Sequence, residues 1–158
     1  MFIAKSLSDL PDRQTVISMS GLDFMQAVQS GELAGAPIAQ GLNFTLHSVE
    51  KGAVTFRGSP GFAHTNPVGG VHGGWYGTLL DSCMGLAIQS TLDQGVGSTT
   101  LEFKISLVRA ITLETGQIRA EGKVLNCGRR VGTAEGRVTD AKGRLLAHGT
   151  TTCLIFPG

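Results

Sequence analysis

The sequence predicts an α+β domain in which an antiparallel β-sheet wraps one long central helix. Two observations carry this expectation. Tyr76, Leu79, Leu80, Cys83, Met84, Ala87, Ile88 and Thr91 recur at the i, i+3, i+4, i+7 spacing of a single helix face. Beyond Gly95-Val96-Gly97 the pattern turns to extended runs, Thr99 to Ile111, Gly116 to Cys127, Arg130 to Thr139 and Arg144 to Phe156, divided by Gly-containing turns. A helix this apolar must be covered, and the apolar face of a sheet is the element at hand to cover it.

The remaining elements follow in chain order. Residues 1–20 carry no clear period and read as an N-terminal arm. Leu22, Met25, Ala27 and Val28 fit a short helix between Leu22 and Leu33, ended by Gly31 and Gly35-Ala-Pro37. Leu42 to Val49 and Ala53 to Phe56 read as two strands joined by Glu50-Lys51-Gly52, and Arg57 to Val71 as a loop rich in Gly and Pro. The central helix comes next, followed by the four long strands as a meander. With no internal repeat and no composition break, residues 21–158 are expected to form one domain.

Composition narrows the function classes. The chain has 158 residues, 23 of them Gly, with 41% apolar content, which is too hydrophobic for a disordered chain; the glycines show no G-X-Y period. Thirteen basic and twelve acidic residues leave a formal charge of +1 with no long basic run, so nucleic acid and an anionic membrane surface are not expected partners. Cys83, Cys127 and Cys153 are scattered and form no C-x-x-C pair, as expected of reduced thiols in a cytoplasmic protein. Met1 to Ser20 contains Lys5, Asp9, Asp12 and Arg13 where a signal peptide needs an apolar core. Gly73 to Leu92 is weakly charged but holds several Gly, polar residues and one Asp, as a buried helix does and a membrane span does not. His47, His64, His72 and His148 lack ligand spacing, so no metal is expected.

That one Asp is informative. Between His72 and Asp93, Asp81 is the only formal charge, in a position where a carboxylate loses hydration unless something binds it. Gly77 and Gly85 flank it at i−4 and i+4, so one helix row is a narrow track open to a ligand or to another backbone. The plainer alternative is that Asp81 caps a turn or pairs with an Arg, while the glycines relieve packing. Upstream, Asn66-Pro-Val-Gly-Gly-Val-His72-Gly73-Gly74 feeds the helix N-terminus, where backbone N–H groups and the helix dipole favour an oxygen that is becoming negative. There, too, a plainer reading stands: a flexible Gly73-Gly74 lead into the helix, with His72 as N-cap or packing residue. His72 and Asp81 lie about two and a half turns, roughly 13 Å, apart along a helix and on opposite azimuths. If both are catalytic, a second subunit must bring its own Asp81 to the first subunit's Gly73, which implies a symmetric dimer with two composite sites.

The spacing Asn66-x5-His72-Gly73-Gly74-x6-Asp81, followed by Thr100-Leu-Glu-Phe-Lys-Ile-Ser and by Gly128-Arg-Arg-Val-Gly-Thr-Ala-Glu-Gly-Arg-Val, resembles the hotdog-fold acyl-CoA thioesterases of the phenylacetate-degradation and 4-hydroxybenzoyl-CoA type. The resemblance runs from about Leu22 to Phe156 and implies a hotdog fold, thioester hydrolysis without a cofactor beyond the coenzyme A of the substrate, and a homodimer that pairs into a homotetramer. It implies Asp81 as nucleophile or general base, the Gly73 N–H as oxyanion donor, Asn66 on the water or acyl group, His72 beside the thioester, and Thr100 as the hydroxyl near the carboxylate. Ser98 and Thr99 compete for that last role should the strand shift by a residue. Gly74, Arg129, Arg130 and Arg109 are candidates for binding substrate or the coenzyme A phosphates, the arginines having solvated turn charges as their plainer reading. Trp75, Phe62, Leu79 and Val68 are candidates for the acyl pocket or for plain core, while Cys83, on the apolar stripe, reads as a packed thiol. A non-catalytic acyl-CoA-binding module is the alternative function; a dehydratase of the same fold is disfavoured because its His-Phe-Pro-Gly run is missing.

Overall fold

The computed structural model describes residues 2–157. Three short helices, α1 (Arg13–Ile17), α2 (Gly21–Ser30) and α3 (Pro37–Gly41), precede the hairpin β1 (Phe44–Glu50) and β2 (Ala53–Gly58). The long helix α4 (Gly73–Gln89) follows, then β3 (Val96–Leu107), β4 (Ile118–Cys127), β5 (Val131–Asp140) and β6 (Leu145–Pro157). All six strands form one antiparallel sheet around α4, the hotdog arrangement. Among the described residues no helix is long and apolar enough to cross a membrane.

The strand order is β1-β2-β4-β5-β6-β3, which corrects the expected four-strand meander. Only β4, β5 and β6 meander; β3 lies at the far edge, paired with β6. The connection from β3 to β4 is therefore a crossover, not a turn. Val108 and Arg109 both donate their N–H to the Leu146 carbonyl, at 2.9 and 3.0 Å, and Val71 N donates to Ile111 O at 3.1 Å. These bonds lead the chain off the sheet edge and past the start of α4 before β4 begins between β2 and β5.

Two of the short helices were not expected. Five residues are too few to display a helical period, and each rests instead on local chemistry. Asp12 caps α1 by accepting from Thr15 N at 2.7 Å, and Pro37 opens α3. The segment read as an arm is tied to the rest of the chain. Ile3 bridges Gly35, and Gly95 N donates to Ile17 O at 3.0 Å. The expected helix at Leu22 is α2, closed by Gly31 at φ 88°.

The sheet-facing side of α4 is its large-residue side: Leu79, Leu80, Cys83, Met84, Ala87 and Ile88 are fully buried. Opposite them the strands give way. Gly122, Gly136 and Gly149 stand side by side across β4, β5 and β6. A Cβ built at Gly122 would lie 2.1 Å from the Cys83 carbonyl oxygen, and one at Gly136 would lie 2.8 Å from Met84 Cγ. At Gly149 it would lie 2.6 Å from the Lys104 carbonyl oxygen on β3, where the sheet curls around the helix. The row is a trough in which the helix backbone sits against Gly122 and the Leu80 and Met84 side chains against Gly136, while Gly149 lets β3 close in on β6.

The trough predicts two contrasting substitutions. Gly122→Ala is expected to cost about 3 kcal/mol or more in unfolding free energy, because the obstructing atom is backbone and cannot swing away. Gly61→Ala, where a Cβ meets nothing within 4 Å, should stay within about 0.5 kcal/mol. Urea titration of both variants against the parent checks this, and equal midpoints would remove the trough from the account.

Candidate active site

Asp81 projects from the open side of α4, half-buried, toward β3. Thr100 Oγ1 donates to its Oδ1 at 3.0 Å. The strand reaches that geometry through a β-bulge. Thr100 pairs with Cys153 but Glu102 pairs with Thr152, so Leu101 is the extra residue. Before the bulge Ser98 and Thr100 face the helix; after it the parity flips, and Phe103, Ile105 and Leu107 lie against Gly77 and Gly73. Of the three candidate hydroxyls, Thr100 is the one on the carboxylate. Ser98 Oγ donates instead to Gln89 Oε1 at 2.8 Å, and Thr99 is exposed.

A cleft of about 370 Å³ opens beside Asp81, lined by Gly85, Gln89, Ser98, Thr100 and Cys153, with Ala36 at its rim. Burial pushes the Cys153 thiol up from its ordinary value, and the Asp81 charge adds to this against opposing hydrogen bonds from Thr100 and Thr151. Cys153 is thus a neutral wall residue. Cys83 is buried, its thiol pushed well above the ordinary range by desolvation, and its Sγ donates to Leu80 O at 3.3 Å. It is a packed thiol, as its place on the apolar stripe implied.

The residues upstream of α4 form a second cleft of about 650 Å³, lined by Asn66, Gly70, Gly73, Tyr76, Leu107 and Arg109. His72 is the N-cap of α4, and its Nδ1 accepts from Gly74 N at 2.9 Å. The Gly74 donor is engaged by that cap. The Gly73 N–H donates to nothing among the described residues, as a first-turn N–H does unless a ligand takes it. Asn66 Oδ1 accepts from Val68 N at 3.0 Å and Gly70 N at 3.2 Å, which folds the loop and leaves the side-chain NH2 free to donate. The positive end of a 17-residue helix stands behind the open Gly73 donor.

The chain thus brings Asp81 and Thr100 together in one cleft, and Asn66, Gly73 and Arg109 in another. Along α4 the two groups are about 12 Å apart. Arg129 lines a third hollow with Asp93 and Phe156 at the far end of α4, and Arg130 is exposed beside it. Of the apolar candidates, Trp75 and Leu79 are core, Trp75 Nε1 donating to Leu42 O at 2.8 Å. Phe62 and Val68 are 82% and 90% exposed, and Val68 borders the Gly73 cleft.

Sequence reasoning missed a polar group hidden in the apolar stripe. Tyr76 Oη accepts from Ile111 N at 2.6 Å and donates to Arg109 O at 3.3 Å. It ties the crossover segment bearing Arg109 to the start of α4. The available signal was a Tyr on a buried helix face, since a buried phenol needs a hydrogen-bond partner. Burial pushes its pKa up, the Ile111 N–H opposing.

A thioesterase superfamily model matches residues 68–147, which span the Gly73 loop, α4, β3, β4, β5 and the first residues of β6. Among solved structures the chain is similar to a phenylacetic acid degradation-related protein from Ralstonia eutropha JMP134, with 27% identity, a TM-score of 0.75, and coverage of 83% of this chain and 98% of that one. A conserved protein from Pseudomonas aeruginosa is 30% identical, with a TM-score of 0.70 over 76% of this chain and 94% of that one. A Streptococcus mutans UA159 protein bound to acetyl CoA is 28% identical, with a TM-score of 0.66 over 73% and 90%. No curated protein matches the chain.

Tyr76→Phe leaves the buried Ile111 N–H without its acceptor and is expected to cost about 1–3 kcal/mol of stability. Denaturant unfolding measures it, and hydrogen exchange at Ile111 should rise in the variant more than exchange within β5. Unchanged exchange there would mean the phenol does not hold the crossover.

Proposed function

This chain belongs to the thioesterase superfamily and is an acyl-CoA thioesterase; we propose that it hydrolyses small or aromatic acyl-CoAs at a site shared by two subunits, with Asp81 and Gly73 as the reacting pair. One observation carries the reading. The only carboxylate on α4 and the open N–H at its start occupy separate clefts of one rigid helix, too far apart to act on one carbonyl within a chain. Two chains related by a two-fold axis bring them together. Gly77 lies midway between Gly73 and Asp81, so two α4 helices running antiparallel with the axis at Gly77 set Asp81 of each opposite Gly73 of the other.

The sheet offers the matching edge. β3 is an edge strand of 12 residues, paired with β6 on one side and open on the other, and Leu101, Phe103 and Leu107 on it are 58%, 42% and 52% exposed. A long, apolar, open edge is one that a second copy completes by strand pairing. Phe103 and Ile105 are the β3 residues against Gly77, so the axis that aligns the helices also crosses this strand.

Within that site the thioester carbonyl oxygen receives the Gly73 N–H and the helix dipole, a donor worth about 2.7–4 kcal/mol at the transition state. Asp81 Oδ1 is held by Thr100, and Oδ2 faces the substrate. Two routes use it. As a base, Asp81 takes a proton from water while the water oxygen bonds to the acyl carbon; the C–S bond breaks and the thiolate receives the proton. As a nucleophile, it forms an Asp81–acyl anhydride with loss of thiolate, and water then releases the acid. Asn66 donates its NH2 to the water or acyl oxygen, while His72, held in its cap, fixes the helix start beside the thioester. Arg109 is assigned to a phosphate of coenzyme A. The same two-fold reversal brings Arg129 of the partner subunit and Arg130 of the partner subunit toward the loop that carries Arg109. Pairing of such dimers gives the homotetramer that the family resemblance implies.

Mixing two inactive variants tests the shared site. Asp81→Asn should lower kcat by about 10²–10⁴-fold. Gly73→Pro deletes the donor at helix position N1, where proline fits, and should lower kcat about 10²–10³-fold. Unfolded and refolded together, half of the resulting dimers are mixed and each holds one intact site, so about a quarter of the parent activity should return. A mixture no more active than its parts, or a chain that is monomeric by light scattering, overturns the reading. Thiol release absent from every acyl-CoA, with binding retained, would favour the binding module. Single-turnover hydrolysis in H2¹⁸O separates the two routes: label in the product acid and none in Asp81 is the outcome for the base, while label in Asp81 with an unlabelled product acid marks a nucleophile whose anhydride is opened by water at the Asp81 carbonyl.

A further inference from the structure

Three consecutive backbone carbonyls at the end of α3 hold the approach to α4. Gly41 O accepts from His64 Nε2 at 3.0 Å, Leu42 O from Trp75 Nε1 at 2.8 Å, and Asn43 O from Ser59 N at 3.1 Å. Trp75 fixes the first turn of α4 in this way, and His64 fixes the loop that leads to it. We propose that His64 is a positioning residue for the Gly73 side of the site: its ring anchors the hairpin that carries Asn66 and thereby sets the direction of the Gly73 N–H. This rests on the reading of Gly73 and Asn66 given above and adds the residue that holds them in place.

Both ring nitrogens of His64 are engaged. Gly61 N donates to Nδ1 at 2.8 Å, and a backbone N–H can only donate, so Nδ1 is the acceptor and Nε2 carries the proton given to Gly41 O. The half-buried ring is thus held as one neutral tautomer between two backbone groups, with no nitrogen left for a ligand. Its own backbone returns to the same glycine, His64 N donating to Gly61 O at 2.9 Å.

What the ring anchors is a short hairpin. Thr65 bridges Val71 in antiparallel fashion, Asn66 N donates to Gly70 O at 2.8 Å, and His72 N donates to His64 O at 2.9 Å. Asn66 opens the turn of this hairpin, and His64 faces His72 across its other end. His72 is the N-cap of α4 and directly precedes Gly73, so a shift of His72 turns the Gly73 peptide with it. Phe62 and Val68 in the same segment are exposed and do not pin it by packing. From residue 60 to residue 70, the His64–Gly41 bond is the one hydrogen bond among the described residues that reaches beyond residues 60–72. The placement of Asn66 against Gly73 therefore depends on a single imidazole.

Three substitutions separate its bonds. His64→Phe keeps a ring and loses both; His64→Asn has the reach to keep the acceptor for Gly61, and His64→Gln the reach to keep the donor to Gly41. Two-dimensional ¹H–¹⁵N spectra report the Gly73 and Gly74 amides without any substrate. In His64→Phe both signals should move and the Asn66 amide should exchange faster, while β5 amides keep their parent values. For acetyl-CoA or benzoyl-CoA, kcat should fall about tenfold to hundredfold, with the loss on kcat and not on KM. His64→Gln, which keeps the outward bond, should recover more of that loss than His64→Asn. Gly73 and Gly74 signals that stay in place in a folded His64→Phe overturn this inference, as does a kcat equal to the parent's. Should circular dichroism show His64→Phe unfolded, the other pair decides, and equal kcat and equal amide signals in the Gln and Asn variants overturn it. A parent enzyme that releases thiol from no acyl-CoA overturns the hydrolytic reading instead, and the amide signals then decide the anchor on their own.

Discussion

The close seat of α4 on the glycines of the sheet is the constraint on which the rest of the structure depends. Where Gly122 meets the Cys83 carbonyl no side chain fits between helix and strand. The sheet therefore lies near the helix axis and curls around it, and the edge strand β3 reaches the flank of α4. From there Thr100 can reach Asp81 at 3.0 Å. With a residue of ordinary size in the trough, helix and sheet would part and the hydroxyl would lose the carboxylate. The large residues of α4 belong to the same arrangement: Leu80 and Met84 fill the space that Gly136 leaves.

The bulge at Leu101 solves a second problem posed by that seat. β3 must offer polar residues to the Asp81 end of α4 and apolar ones to the Gly77 end, while its backbone remains paired with β6. Strict alternation would direct Ser98, Thr100, Glu102 and Lys104 to one face and bring charge against Gly77. One extra residue changes the parity midway, so Phe103 and Ile105 meet the helix and Glu102 turns outward. The bulge is thus the device that divides one strand between a polar cleft and an apolar flank.

Much of this was legible in the sequence, and the part that was not has a common physical cause. The helix face, its start at His72 and the lone charge of Asp81 are local features, written in spacing and composition. The Asp81–Thr100 contact was also within reach, though Ser98 and Thr99 remained as rivals because a bulge reverses parity without marking the sequence. The place of β3 was misread because strand order is decided by pairing between distant segments, and a crossover containing Glu114-Thr115-Gly116 reads like a turn. Gly122, Gly136 and Gly149 looked like interruptions of their strands. Only the registers across two turns bring them into one row, and those registers are a property of the folded sheet. Tyr76 and the Gln89–Ser98 pair escaped notice because each polar atom is satisfied or oriented by a residue remote in sequence.

In the proposed reading, the length of α4 is the reason one chain holds the parts of a hydrolytic site without holding the site. The electrostatic advantage of α4 is confined to its first turn, where the open Gly73 N–H lies. A carboxylate in that turn would be drawn to the same N–H groups and would occupy the donor proposed for the substrate oxygen. Two turns further on, Asp81 is out of their reach and is held by Thr100 instead. The separation that keeps the two groups from neutralising each other also keeps them from cooperating within a subunit. In the proposed dimer a two-fold axis resolves this conflict, because it returns the far carboxylate of one helix to the near end of the other and leaves each helix intact.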